Sequence, residues 1–418
     1  MRVAIVGGGY SGTMAAVEIG RALPGAEIVL VEKRPRFAAG AAYSTRSPSH
    51  LLNVRARSMS AFADAPDHFV RWVEAQGLGR WDTFARRRDY HRYLAGILDA
   101  AAVRRVAGEA VAAEDGTLRL ASGEEIGFDA LVLAGGNHPG RMPARLSLPS
   151  VDDPWSADGA EALAALAGEK GDLLLVGTGL TMVDVALDLE DRGYGGRMLA
   201  VSRRGLVPRP HEEPPSPPLT GEPPARLAAL VRHVRAGSPW RAAVDSLRPH
   251  SIALWRGFSE AEKRRFLRHL RPWWDVHRHR LAPPVARRIA ALRQRGVLEV
   301  AAGRIAGEAA GEVEIGLRGG GTLRRRFAAA INCTGPEGAI ARVEDPLVRQ
   351  LVAAGAARPD PLGLGLDVDE ESRVIGSDGA THPRLFALGP LTKGAFWEMV
   401  AVPDIRGQVR GVARTLAR

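Results

Sequence analysis

Two glycine-rich turns, each between an apolar run and a stretch of helical periodicity, are the residues of this chain best suited to chemistry. The first is Gly7-Gly8-Gly9-Tyr10-Ser11-Gly12, a G-x-G-x-x-G at Gly7, Gly9 and Gly12. Its first glycine permits a tight turn, its second lets a pyrophosphate approach the backbone, and its third lets helix and strand pack closely. Free N–H groups at the helix start then bind the phosphates. Glu32 closes the next apolar run, twenty positions beyond Gly12. An acid there accepts hydrogen bonds from a ribose 2′-hydroxyl and repels a 2′-phosphate. The expected occupant is FAD or NAD.

The second turn is Gly177-Thr178-Gly179-Leu180-Thr181-Met182, in which Met182 replaces the third glycine. The apolar run that follows, Met198 to Val201, ends in Ser202-Arg203-Arg204 instead of an acid. Hydroxyl and guanidinium groups at that place suit a 2′-phosphate, which arginine binds bidentately. We therefore assign Gly177, Gly179, Thr181, Ser202, Arg203 and Arg204 to NADPH.

The elements needed to position these turns are legible. Arg2 to Val6, Glu27 to Val31 and Leu173 to Val176 are short, β-branched or leucine-rich runs, as buried parallel strands are. The chain also repeats a plan. Leu118–Leu120, a turn at Ser122-Gly123, Glu125–Phe128 and a run ending at Gly135-Gly136 are echoed by Glu312–Leu317, Gly319-Gly320-Gly321, Leu323–Phe327 and a run ending at Gly335. Such a pair predicts an α/β fold of two Rossmann-like dinucleotide-binding domains, the second inserted in the first. The first must then close with C-terminal sequence. Arg384 to Gly389 reads as that closing strand, and Pro403 suits the first turn of a final helix whose dipole faces a flavin. Expected boundaries are 1–150 with 330–418 for the FAD domain and 151–329 for the NADPH domain, with a helical insert at about 212–304. Gly135, Gly389 and Asp404 complete the FAD contacts.

The chain has 418 residues, 45% hydrophobic and 25% charged, enough for two or three domains with ordinary cores. Its net charge of +10 invites a polyanion, but only four of its 57 basic residues are lysine. That arginine bias reads as codon usage as much as selection, so no nucleic-acid partner is expected. A single cysteine, Cys333, excludes internal disulfides and a Cys-x-x-Cys redox pair. No apolar run reaches the roughly 18 residues of a membrane span, nor does the start resemble a secretory leader. A cytoplasmic location is expected.

The insert opens with the proline-rich run His211 to Pro218, followed by amphipathic stretches Arg226–Ala236, Ala242–Trp255 and Ser259–Leu270. Asp275, His277 and His279 at alternate positions fit a metal site only on a strand, and their flanks look helical, so no metal is assigned. Trp273, Trp274 and the Arg/His run are assigned to packing of a helical lobe over the NADPH cleft rather than to base stacking. His277 and Arg280 are the members of that run with access to the cleft in one reading.

The whole chain resembles the two-dinucleotide-binding-domain flavoproteins, and within them the bacterial L-aspartate N-monooxygenases (nitrosuccinate-forming) and FAD-dependent urate hydroxylases. The likeness is carried by the Gly7–Gly12 turn, Gly40-Ala-Ala-Tyr-Ser44, His50-Leu-Leu-Asn-Val54 and Met59-Ser-Ala-Phe-Ala-Asp64. Gly177 to Asp184, Asn332-Cys-Thr-Gly-Pro336, Leu385 to Pro390 and Ala401-Val-Pro-Asp-Ile-Arg406 extend it to the C-terminal region. The resemblance implies bound FAD, NADPH as reductant, and O2 activated to hydroxylate a small amine-type substrate. It places His50 and Asn53 beside the flavin, where they either contact it or pack the loop. Lys393, just after the flavin-side turn, either holds a substrate carboxylate or is solvated. Two departures stand out. The Cys pair of the disulfide reductases is missing, and the Gly-Asp that binds the ribityl chain in many relatives is Gly389-Pro390 here. Two other readings use the same residues: an NADPH:acceptor flavin reductase without oxygen transfer, and a non-catalytic flavin-binding sensor or scaffold.

Overall fold

A computed structural model describes residues 1–213, 217, 219–237 and 239–418. Two open sheets, each flanked by helices, organise the chain. The first runs in the order Arg373–Ile375, Thr381–Ala387, Ala130–Leu133, Arg2–Val6, Glu27–Glu32, Arg104–Ala107, and every pairing but the outermost Arg373–Ile375 edge is parallel. Its central strands are buried on both faces, which is why they read as continuous apolar runs and not as alternating ones. Thr381–Ala387 slots beside Ala130–Leu133, so the C-terminal sequence completes the N-terminal sheet as expected. The last helix, Val402–Leu416, packs along the first, Tyr10–Ala22.

The second sheet is built from residues lying between strands of the first. Its order is Thr322–Arg325, Glu312–Leu317, Leu298–Ala309, Met198–Ser202, Leu173–Val176, Ala329–Asn332, Ser150–Val151. The last five strands are parallel, and the first two form a meander on the long strand Leu298–Ala309. The echo in the first unit is a separate sheet of Ala110–Glu114, Thr117–Leu120 and Glu125–Gly127. The fold is therefore the paired Rossmann-like α/β architecture, one unit inserted in the other.

Two expected boundaries move. Residue 330 falls inside the second sheet, because Ala329–Asn332 pairs with Leu173–Val176. The helical insert does not reach 304: helix Pro283–Gln294 buries Val285, Ile289 and Leu292 in the core of the second unit, as the crossover between parallel strands Met198–Ser202 and Leu298–Ala309. The lobe proper comprises the helices from Leu227–Ala236 to Arg271–Arg278. Within it the expected helix 242–255 breaks around Pro249 into Trp240–Ser246 and Ser251–Gly257. Ser259 and Glu262 form a full capping box, and the following turn is a π-helix, Phe266–Leu270. The proline-rich run before the lobe lies partly outside the described residues, at 214–216 and 218.

The lobe's apolar core closes on Trp397, Leu362 and Leu364 of the first unit, while Arg248, Arg278 and His279 at its edge wall a cavity shared with the second glycine turn. Trp255 stacks on Trp397 at 4.8 Å between ring centroids and donates its indole N–H to the Gly394 carbonyl at 2.8 Å. Offset stacking of this kind adds about 1 kcal/mol to the area buried.

Candidate active site

The glycines of the first turn divide by role. Gly7 sits at φ +109°, and a Cβ there would lie 2.3 Å from the Ala134 carbonyl oxygen. A Cβ on Gly12 would lie 1.8 Å from the Gly7 carbonyl oxygen, so this residue lets the helix return against the turn. Gly9 is the N-cap of helix Tyr10–Ala22 with no side-chain cap, and only the backbone of Gly40 approaches it, at 3.4 Å from its would-be Cβ. The first N–H groups of the helix are thus left for an outside acceptor. The Glu32 carboxylate is buried and accepts from Gly8 N–H at 2.6 Å and Arg34 N–H at 2.8 Å, which fixes it at the end of its strand. On the far side Gly135 follows strand Ala130–Leu133, its N–H 3.1 Å from where a Gly7 Cβ would fall. Gly389, at φ +65°, donates its N–H to Gln408 at 2.8 Å. These features fit the ADP half of a dinucleotide.

The second turn has the same division. Gly177, at φ +121°, would place a Cβ 2.1 Å from the Cys333 carbonyl oxygen, whereas a Cβ on Gly179 meets nothing within 4 Å. Gly179 is the uncapped start of helix Leu180–Asp191, and Met182 in place of the third glycine is wholly buried in the core. Ser202 is engaged within the protein: its hydroxyl lies 2.8 Å from that of Thr178 and accepts from Gly205 N–H at 3.1 Å. It shapes the loop. Arg204 donates to the His269 carbonyl of the lobe at 3.3 Å, while Arg203 is exposed and has no polar partner among the described residues. Arg203 is therefore left free at the end of strand Met198–Ser202, the position for which the sequence expects a 2′-phosphate contact.

A cavity of about 330 Å³ beside the second turn is walled by both units and the lobe. Asn53 and Thr181 line it, as do Ala401 to Pro403 at the uncapped start of helix Val402–Leu416. His138 also lines it, with Nε2 buried and unpartnered and its pKa lowered by burial. From the lobe come Arg248 and Arg278, which the sequence did not single out as site residues, and His279, weighed there only as a metal ligand. Behind the arginines stand two acids. Glu398 pairs with Arg278 Nε at 3.2 Å, both side chains almost fully buried, and accepts from Trp274 Nε1 at 2.9 Å. Burial raises Glu398, but Arg278 and His279 prevail and its carboxyl stays below its usual range. Asp404 is the reverse case: burial raises its carboxyl despite Arg248 and Arg278. Burial and Arg278 both lower the pKa of Arg248, whose guanidinium donates to no acceptor among the described residues.

Several expected site residues sit differently. His50 does not line the cavity; Nε2 donates to the Asp184 carbonyl at 2.9 Å and Nδ1 bonds the Thr45 hydroxyl at 2.7 Å, so its ring joins the two units. Asp404 is absent from the cavity lining, within the influence of Arg248 and Arg278, and its Oδ2 is buried without a hydrogen-bond partner among the described residues. Lys393 is also off the wall, 4.9 Å over the Trp397 ring, its pKa lowered to about 8 by burial and by Arg271. Arg280 does not line the cavity and makes a bidentate pair with Asp245 at 2.9 Å, and His277 packs edge-on to Trp240. Among the described residues no three His, Cys, Asp or Glu side chains gather as metal ligands, and no helix is long and apolar enough to cross a membrane. A larger groove of about 710 Å³ between helices Tyr10–Ala22 and Arg87–Asp99 is mostly apolar and lies away from both turns.

Fold and site together define a two-dinucleotide-domain architecture, and comparison with known proteins agrees. Residues 4–138 match the model of an FAD-NAD(P)-binding family. Over the whole chain the fold is similar to ornithine hydroxylase from Pseudomonas aeruginosa, with 16% identity, TM-score 0.68 and 100% and 98% of the two chains covered. It is similar to L-lysine 6-monooxygenase from Pseudomonas syringae, with 17% identity, TM-score 0.66 and 99% and 97% covered. Ornithine N-hydroxylase from Kutzneria sp. 744, solved with reduced FAD, NADP⁺ and L-ornithine, gives 16%, 0.63, and 99% and 98%. No curated protein matches the sequence.

Proposed function

We propose that the chain is an FAD-dependent, NADPH-using monooxygenase that hydroxylates the nitrogen of a small amine carrying a carboxylate. The observation that carries this is the single cavity onto which the second nucleotide turn, the start of helix Val402–Leu416 and the lobe's two arginines open. FAD, when bound, supplies hydride acceptance and oxygen activation. The Gly7–Gly12 turn and Glu32 hold its ADP half, and the positive end of helix Val402–Leu416 stabilises negative charge on the part facing the cavity. The Gly177–Thr181 turn and Arg203 hold NADPH. Arg248 and Arg278 orient the substrate through its carboxylate, with Glu398 and Asp404 behind them keeping the cationic wall stable when empty. Folds similar to ornithine and lysine hydroxylases support the amine, and the arginine pair supports the acidic amine of the aspartate N-monooxygenases that the sequence resembles. Small-molecule substrate and O2 are the partners of this reading.

The test is anaerobic reduction of the purified yellow protein by NADPH and NADH, followed by air and a panel of aspartate, ornithine and cadaverine. The reading expects faster bleaching by NADPH, and a product one oxygen heavier from aspartate. Bleaching with hydrogen peroxide as sole product on every amine leaves the acceptor reductase. A flavin that NADPH never bleaches leaves the non-catalytic sensor.

A further inference from the structure

The segment 45–53 belongs to the first unit, yet the inserted chain grips it at three residues, Ser49, His50 and Asn53. Arg288, on the crossover helix Pro283–Gln294, donates to the Ser49 hydroxyl while paired with Glu190 at 2.7 Å and Asp191 at 2.6 Å. His50 Nε2 reaches the Asp184 carbonyl at 2.9 Å. His211, at the entry to the lobe, donates Nε2–H to the Asn53 carbonyl at 2.8 Å. Arg87 completes the grip from the first unit. Its Nε donates to the Leu51 carbonyl at 3.2 Å and its Nη2 pairs with the Asp184 carboxylate at 2.8 Å, with side-chain exposures of 16% and 9%. Asp184 is thus bound through both its carboxylate and its carbonyl, and it lies one turn into the helix that begins at Gly179. Leu52, Asn53 and Val54 line the cavity, and Arg87 and Asp184 reach its wall beside them.

An ion pair so little exposed is a poor source of stability but a strong constraint on geometry, since removing one partner strands the other. We propose that segment 45–53 is a clamp that holds the nucleotide helix Leu180–Asp191 at one spacing from the first unit, with Asp184 and Arg87 as positioning residues for hydride transfer. The second unit then needs no swing between empty and loaded states. A misplacement of about 1 Å in reacting groups costs on the order of 100-fold in rate, so a loosened clamp lowers the rate of transfer more than the affinity. The kinetic part rests on the NADPH reading above; the clamp itself does not.

The near-isosteric Asp184→Asn and Arg87→Lys test it, with the exposed pair Arg71–Asp67 as control through Arg71→Met. Cys333 is buried, so spin labels can be confined to cysteines introduced at the exposed Arg119 and Arg324, one on each unit's meander. Pulsed EPR of the protein without NADPH should give one narrow distance in the wild type and the control, and a broadened one in both clamp variants. Maximal flavin reduction by NADPH should fall 10-fold or more, with the dissociation constant for NADPH changed less than 3-fold. An unchanged distance distribution overturns the clamp, as does a weakened dissociation constant with an unchanged maximal rate. If NADPH fails to reduce the wild-type flavin, the functional reading falls while the distance measurement still decides the clamp.

Discussion

Arg203 is where the choice between NADPH and NADH can be put to a quantitative test. The residue follows strand Met198–Ser202, is exposed, and has no polar partner among the described residues. Arg203→Ala therefore removes no contact that holds the fold, and its effect on stability should stay within about 0.5 kcal/mol. A hydrogen bond to a charged group is worth roughly 1.5–3 kcal/mol, which is about 10- to 150-fold in kcat/KM. NADPH should lose that factor and NADH, lacking the 2′-phosphate, less than about 3-fold. Arg203→Glu adds repulsion and should pass the upper end of the range. The loss should shrink at high salt, because an exposed charge pair is screened over about 8 Å at 0.15 M. Arg204→Ala is the informative companion. Its guanidinium also bonds the His269 carbonyl, so both nucleotides should suffer and selectivity should change less. Steady-state flavin reduction with each nucleotide measures all of this. Equal losses for NADPH and NADH in Arg203→Ala would refute the assignment of the 2′-phosphate.

Three further outcomes follow from the geometry. Gly177→Ala, strained at φ +121° and 2.1 Å from a carbonyl oxygen, should destabilise the protein by about 2–5 kcal/mol in urea unfolding, whereas Gly179→Ala should unfold nearly normally but bind NADPH at least 10-fold more weakly. Arg248→Met should raise the KM of an acidic amine by about 10-fold or more, with NADPH-driven flavin reduction unchanged; an equal KM change for cadaverine would count against a carboxylate contact. Lys393→Met should stabilise the protein at pH 7 by up to about 3 kcal/mol, because burial and Arg271 outweigh Asp275 and Glu398 and lower the amine's pKa from 10.5 to about 8. Between those two values the folded chain binds fewer protons than the unfolded one, so wild-type stability rises with pH across that window and the variant's advantage should vanish near pH 10.5 in thermal melts.

What was legible in the sequence is what local chemistry determines. Gly7, Gly12 and Gly177 must be glycine because backbone crowds their missing Cβ, and that crowding arises from strand–turn–helix units visible as spacing. The limits were set wherever a residue's partner is distant in the chain. Helix Pro283–Gln294 has the same amphipathic period as the lobe's helices, and only pairing of Met198–Ser202 with Leu298–Ala309 shows that it belongs to the second sheet. Asp404 reads from sequence as a cofactor contact because it opens a helix near the glycine turn. In the fold it feels Arg248 and Arg278, more than a hundred residues earlier in the chain, while its Oδ2 is buried without a hydrogen-bond partner among the described residues. For His50 the sequence leaves flavin contact and loop packing both open, and its ring is spent on a carbonyl 134 residues away. These three have one cause. The lobe and the second unit are inserted within the first, so residues that meet at the cavity are separated by the inserted chain. The acid–arginine layer shows why such contacts nevertheless matter for chemistry. Two guanidiniums on a cavity wall would repel each other if unsupported, and Arg278 does lower the pKa of Arg248. Glu398 and Asp404 from the first unit offset that repulsion without occupying the cavity face. The lobe therefore brings charge to the cavity only when docked on the C-terminal segment that carries both acids. Docking through Trp255 and Trp397 is then a condition for the proposed substrate site, and on that proposal disrupting the stack should weaken acidic-amine binding before it affects either nucleotide.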